Sequence, residues 1–153
     1  MSDLSVGMPA PDFELHDQDG NPVRLSGFRG VNPVVLFFYP KDNTRVCTQE
    51  ACAFRDDYSQ FRDAGVKLFG ISSDSTASHS NFARAHSLPY PLLTDSGGKV
   101  RRLFSVKKTW GLLPGRATFV IDRDGIVRHI FSSQFEAATH VTEALAALQR
   151  QNG

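Results

Sequence analysis

At 153 residues, 41% hydrophobic and 22% charged, the chain has the size and make-up of one compact domain, expected over residues 1–153. Seventeen basic and sixteen acidic residues leave a formal charge of +1, and no basic run is longer than Arg101-Arg102 or Lys107-Lys108, so a nucleic-acid partner is not expected. No stretch of about eighteen apolar residues occurs, nor a charged leader followed by an apolar run, so a soluble chain without membrane insertion or visible targeting is expected.

From the N-terminus, Pro9 to Leu15 and Val23 to Leu25 flank the turn Asp17-Gln18-Asp19-Gly20-Asn21-Pro22, which reads as a β-hairpin. Val34 to Tyr39 is a continuous apolar run, the pattern of a central strand buried on both faces. From Thr44 to Ala64 the apolar residues Val46, Cys47, Ala51, Phe54, Tyr58 and Phe61 recur at helical spacing until Gly65, which predicts one helix covering that strand. Val66 to Ser72 is the next strand, and Ser75 to His86 a helix with Phe82 and Ala83 facing inward. Such β-α-β-α alternation implies parallel strands with right-handed crossovers. Thr118 to Asp122 and Ile126 to Phe131 around Arg123-Asp124-Gly125 form a second hairpin, expected to extend the other side of the sheet. Ala137 to Gln149 closes the chain with an amphipathic helix carrying Val141, Leu145 and Leu148. The sum is a thioredoxin-like three-layer α/β/α sandwich with a mixed central sheet, helices on both faces and an N-terminal hairpin extension.

The chain has two cysteines, Cys47 and Cys52, placed where the apolar strand passes into the first helix. A helix N-terminus presents unsatisfied N–H groups and the positive end of the macrodipole, which favour a thiolate. A second thiol five residues on can meet whatever the first becomes on oxidation, so the pattern points to redox chemistry. Two cysteines do not make a disulfide scaffold, and zinc needs about four ligands. His16, His79, His86, His129 and His140 are scattered, so no metal is expected and the histidines are assigned to surface or core. Glu50 is read as a first-turn acid favourable to the dipole, and neither it nor Arg55 is given a catalytic role. Trp110, Leu112 and Leu113 are read as packing with a modest apolar surface.

Pro40-x-x-x-Thr44-x-x-Cys47 resembles the active-site signature of peroxiredoxins, and the continuation from Cys47 through Cys52 to Ala53-Phe54-Arg55-Asp56 resembles the peroxiredoxin Q, or bacterioferritin-comigratory, branch. The similarity extends through Ala10-Pro11-Asp12-Phe13, Phe38 to Asp42, Ser73-Asp74-Ser75, Leu88 to Leu93 and Gly115 to Asp122. The resemblance implies a peroxidatic Cys47, a resolving Cys52, an Arg116 that holds the thiolate and polarises the peroxide, a Thr44 hydroxyl within reach of both, and a Pro40 that shields the sulfur from water. It also implies a hydroperoxide substrate, no cofactor, a monomer, and recycling by thioredoxin or glutaredoxin. Arg45-Val46 departs from the branch, which has Pro-Gly there, and Arg45 is expected to be solvated. Bacterial cytoplasm is the expected compartment. The stretches Leu112 to Arg116 and Ser133-Gln134-Phe135 point to the alternative, a mature chloroplast form without its transit peptide.

Two competing classes are weaker. A dithiol oxidoreductase would carry two residues between its cysteines rather than four, and a redox-dead domain would be expected to have lost Cys47 or Arg116. Residues five apart on an intact helix rise ~7.5 Å and diverge by ~140°, whereas a disulfide needs Cα atoms within ~7 Å. A Cys47–Cys52 bond therefore predicts local unwinding of about Val46 to Ala53 in each turnover.

Overall fold

The computed structural model describes residues 4–106, 115–133 and 136–152. Its elements are β1 (Glu14–Asp17), β2 (Pro22–Arg24), β3 (Val34–Phe38), α1 (Arg45–Asp56), α2 (Tyr58–Asp63), β4 (Lys67–Ser72), α3 (Thr76–Ala85), β5 (Leu92–Thr94), α4 (Lys99–Leu103), β6 (Ala117–Ile121), β7 (Val127–Ser132) and α5 (Ala137–Asn152). Among the described residues there is one seven-stranded sheet, in the order β2-β1-β5-β4-β3-β6-β7. The stretch holding Trp110, Leu112 and Leu113 lies outside the described residues, as do Gln134 and Phe135.

Every residue of β3 is buried, because the strand has a neighbour on each edge and side chains packed on each face. It runs parallel to β4, with Leu36 opposite Phe69, and antiparallel to β6, with Leu36 opposite Phe119. Alternation along the strand sends Val35 and Phe37 to one cluster and Val34, Leu36 and Phe38 to the other. Gly70 of β4 has a steric reason: a Cβ there would lie 2.7 Å from the Phe37 ring and 2.8 Å from Leu92. Both expected hairpins form, β1 with β2 and β6 with β7, and the second extends the sheet beyond β3 as expected.

The layers are unequal. Ala51 and Phe54 of α1, Phe61 of α2, Phe82 and Ala83 of α3, and Val141, Ala144 and Leu148 of α5 all pack on the Phe37 face. The opposite face is covered by short α4, with Val100 and then Phe104, and by Ala10, Phe13 and Leu25 of the N-terminal segment. Crossovers of one hand between β3, β4 and β5 put α1 and α3 on one side; α5 then packs beside α1.

Two expectations are corrected in detail. The helix expected over Thr44 to Ala64 breaks at Asp57, whose backbone (φ −102°, ψ 11°) separates α1 from α2. Consecutive acids Asp56-Asp57 oppose the negative end of the α1 dipole, and aspartate is a poor interior helix residue. Phe54 and Phe61 remain in contact across the break, ring centroids 5.7 Å apart. Strand β5 and helix α4, three and five residues long, were not anticipated, since their lengths fall below any window in which a period can be read.

Candidate active site

The strand-to-helix turn is held in place from below. Tyr39 continues the ladder with its N–H on Ile71 O at 3.0 Å, and half-buried Pro40, which has no N–H to give, leaves the sheet. Asp42 then anchors the turn. Its N–H donates to Asp74 Oδ2 (2.8 Å), its Oδ1 accepts from the Tyr39 hydroxyl (2.6 Å), and its Oδ2 accepts from Ser78 Oγ (2.9 Å) and His79 Nδ1 (2.7 Å). His79 Nε2 reaches Leu93 O at 3.1 Å. Asp42, Asp74 and His79 bring ligand-type atoms within 4.8 Å of one another, a grouping the scatter of histidines along the sequence did not suggest. The oxygens and nitrogens that converge there already meet hydrogen-bond partners, so the cluster braces the turn that leads into α1.

Asn43 takes a positive φ of 64°, and extended Thr44 is the N-cap of α1. The Thr44 hydroxyl donates to Lys41 O at 2.9 Å and caps no helix N–H. It closes the turn, and the expected contact with the sulfur is not among its hydrogen bonds. Arg45 is exposed, as expected.

Cys47, third residue of α1, is 1% exposed and free, and Cys52 of the same unbroken helix is free and half-buried. Arg116, at the entry to β6, places Nη2 3.1 Å from Cys47 Sγ and Nη1 2.7 Å from Glu50 Oε1. One buried guanidinium thus bridges the sulfur and a fully buried carboxyl. Burial works against the Arg116 charge, but Glu50 and Cys47 outweigh it and raise its pKa. A second guanidinium, Arg101 of α4, donates to Tyr39 O (2.7 Å) and to Gly115 O, tying α4 to both chain segments that frame the site. Burial lowers its pKa, with Asp95 and Cys47 opposing.

Glu50 was set aside on the sequence, and its placement is corrected here. It lies in the second turn of α1, fully buried. Three residues after Cys47, it shares that residue's face of the helix, which is the signal that comparison with Arg55 missed. Arg55 instead pairs with Asp56 and His86 O. Burial raises the Glu50 pKa from 4.5 to about 7, against the pull of Arg116. Its other oxygen, Oε2, lies 3.3 Å from His140 Nδ1 at the start of α5 and has no hydrogen-bond partner among the described residues. His140, fully buried, has Thr118 Oγ1 2.7 Å from Nδ1 and Ser133 O 2.8 Å from Nε2. Burial lowers its pKa to about 4, opposed by Ser133 O and assisted by Arg116.

The arrangement suits attack by an anionic sulfur on a polar bond, with positive charge fixed beside both the nucleophile and the charge that develops on the departing atom. Residues 6–130 match the AhpC/TSA family. Over 147 residues, 95% of this chain and 68% of the relative, the sequence is 49% identical to chloroplastic peroxiredoxin Q of Arabidopsis thaliana. Peroxidoxin BcpB of Mycobacterium tuberculosis superposes with a TM-score of 0.88 at 43% identity, covering 96% of this chain and 97% of that one. The bacterioferritin comigratory protein of Xanthomonas campestris, solved as a trapped intermediate/ligand complex bearing on its alkyl peroxide reduction activity, superposes with a TM-score of 0.87 at 30% identity, covering 97% and 100%.

Proposed function

The chain belongs to the AhpC/TSA family, in its peroxiredoxin Q branch, and is a thiol-dependent peroxidase; we propose that Cys47 is its peroxidatic sulfur and Cys52 its resolving one. The Cys47 thiolate attacks one oxygen of a hydroperoxide, the O–O bond breaks, and the second oxygen leaves as an alkoxide or hydroxide that takes a proton. Arg116 stabilises the sulfur anion and then the charge passing to the leaving oxygen. The sulfenic acid on Cys47 condenses with the Cys52 thiol, giving a disulfide and water. A dithiol donor, in our reading thioredoxin, restores both thiols. Pro40 shields the sulfur at the end of the strand, and Thr44 supplies a hydroxyl that can rotate from Lys41 O toward bound peroxide. With both cysteines on one helix, catalysis needs one chain, and we take the monomer as the working state. No helix among the described residues is long and apolar enough to cross a membrane, and the plant relatives named chloroplastic favour the plastid alternative over a bacterial cytoplasm.

The observation that carries this assignment is the buried Arg116 fork 3.1 Å from Cys47 Sγ. Disulfide formation then requires α1 to open between about Val46 and Ala53. Opening breaks the Glu50–Arg116 pair and the hydrogen bond from the Tyr90 hydroxyl to Ala51 O (2.6 Å), while Phe54, stacked on Phe37 at 4.4 Å, holds the far end of the helix. The test is peroxide consumption by wild type, Cys47→Ser and Cys52→Ser with thioredoxin, thioredoxin reductase and NADPH, alongside intact mass. Loss of all oxidation in Cys47→Ser, with oxidised Cys47 trapped and turnover lost in Cys52→Ser, is expected. Normal turnover of Cys52→Ser would overturn its resolving role and with it the opening of α1.

A further inference from the structure

We propose that Arg101 is a positioning residue for the peroxidase reaction: its buried guanidinium spans the two chain segments that lead to Cys47 and to Arg116, and so fixes the Arg116 fork against the sulfur. The inference rests on the peroxidase assignment of Cys47 and adds a residue that acts through Arg116.

In the sequence Arg101 and Arg102 are one basic pair. The fold separates them. Arg102 is exposed and donates to Gly97 O at 2.7 Å, whereas Arg101 is 8% exposed and turns into the site. There the ladder between β3 and β6 ends, with Phe38 opposite Ala117. Beyond that pair, β3 runs on through Tyr39 and Pro40 into the turn before α1, and β6 is entered through Gly115 and Arg116. Arg101 Nη2 donates to Tyr39 O at 2.7 Å and Nη1 donates to Gly115 O. Each of these carbonyls belongs to the residue directly before one assigned to the reaction, Pro40 on one side and Arg116 on the other. One planar group therefore sets the separation of the two segments where strand pairing stops.

Arg101 is itself held firmly. Asp95, 2% exposed, accepts from the N–H groups of Val100 (Oδ1, 3.0 Å) and Arg101 (Oδ2, 2.9 Å) and so fixes the start of α4. The Asp95 N–H in turn donates to Ser72 O at the end of β4, at 2.8 Å. The Phe38 ring lies beneath the guanidinium, its centroid 5.9 Å from Cζ. A strut thus runs from the sheet through Asp95 and α4 to the two segments that must meet. Both acceptors are neutral carbonyls, so the guanidinium also brings its positive charge into the site, where Cys47 and Asp95 favour it against burial. Arg116 acts on the sulfur over a 3.1 Å contact, and a small displacement of its backbone would forfeit that alignment.

The test is a double-mutant cycle on the rate of Cys47 oxidation. Full-length Cys52→Ser protein, which stops at the sulfenic acid, is mixed with hydrogen peroxide in stopped flow, and intact mass confirms the gain of one oxygen. Arg101→Lys keeps the charge but cannot span two carbonyls in a fixed plane, and it should slow oxidation roughly ten- to a hundred-fold. In Arg116→Lys protein, where the fork is already gone, the same change should slow oxidation less than about threefold. A role confined to stability would instead slow both backgrounds alike. Equal slowing in both, or a loss below about threefold from Arg101→Lys alone, would overturn the proposal. Should Arg101→Lys fail to fold, Asp95→Asn, which loosens the start of α4 and leaves the guanidinium in place, should show the same dependence on Arg116; equal slowing in both backgrounds would overturn the proposal there too. Failure of Cys47 to gain oxygen in the Cys52→Ser protein would instead overturn the peroxidase assignment on which it rests.

Discussion

Oε2 of Glu50 and Nδ1 of His140 meet at 3.3 Å with neither side chain reaching solvent, so the helix that bears Cys47 faces the last described helix through two buried titratable groups. Their shifts have opposite stability consequences. Glu50, raised from 4.5 to about 7, adds stability below pH 4.5 that is lost as pH rises through 7. His140, depressed from 6.5 to about 4, adds stability above pH 6.5 that is lost as pH falls through 4. Between about pH 4.5 and 6.5 the two slopes oppose each other, and denaturant midpoints should change little through these groups. His140→Asn should expose a decline of stability with rising pH, and Glu50→Gln a rise. Parallel profiles for the two variants would contradict the sign of at least one shift.

Arg116 meets Cys47 Sγ and Glu50 Oε1 with two separate nitrogens. Lysine keeps the charge but cannot span both partners in a fixed plane. Arg116→Lys should slow single-turnover oxidation of Cys47 by roughly a hundred- to a thousand-fold, measured by stopped flow at limiting peroxide. A loss of less than tenfold would mean that charge alone, without the fork, does the work.

The Tyr90 hydroxyl holds Ala51 O at 2.6 Å in the middle of the segment that a Cys47–Cys52 disulfide would require to open. Tyr90→Phe should cost about 1 kcal/mol of stability. It should also hasten Cys47–Cys52 disulfide formation and reduce overoxidation at high peroxide, because less is lost when α1 unwinds. Quenched samples resolved by mass report both. Unchanged disulfide formation in a destabilised variant would place the opening elsewhere.

Gly70 faces the Phe37 ring and Leu92 with no room for a methyl group. Both neighbours are fully buried, and Phe37 is itself stacked on Phe54 of α1. Gly70→Ala should therefore destabilise by on the order of 1–3 kcal/mol. Thermal unfolding of the reduced protein gives the value, and a change within error would show that the core beneath α1 can yield.

The local pattern of the chain was enough for the central strand, the two hairpins and the helix that carries both cysteines. Each depends on residues close in sequence: five apolar residues in a row at β3, turn residues between alternating pairs, and a helical period from Cys47 to Phe54. Pro40, Thr44, Cys47 and Arg116 were expected from their resemblance to a family pattern; the fold brings Arg116 to Cys47, whereas the Thr44 hydroxyl turns to Lys41 O. Short β5 and α4 were invisible because their form is imposed by neighbours in the sheet and core and not by a period of their own. The break at Asp57 turned on the dipole at a helix end whose position only the packing defines. Glu50 and His140 lie ninety residues apart, and their side chains look ordinary in the sequence, an acid on a helix and a lone histidine. Only folding removes both from water and brings Glu50 Oε2 to 3.3 Å from His140 Nδ1, with Arg116 on the other carboxyl oxygen. Burial and distance decide ionisation, and neither exists until the chain has closed on itself.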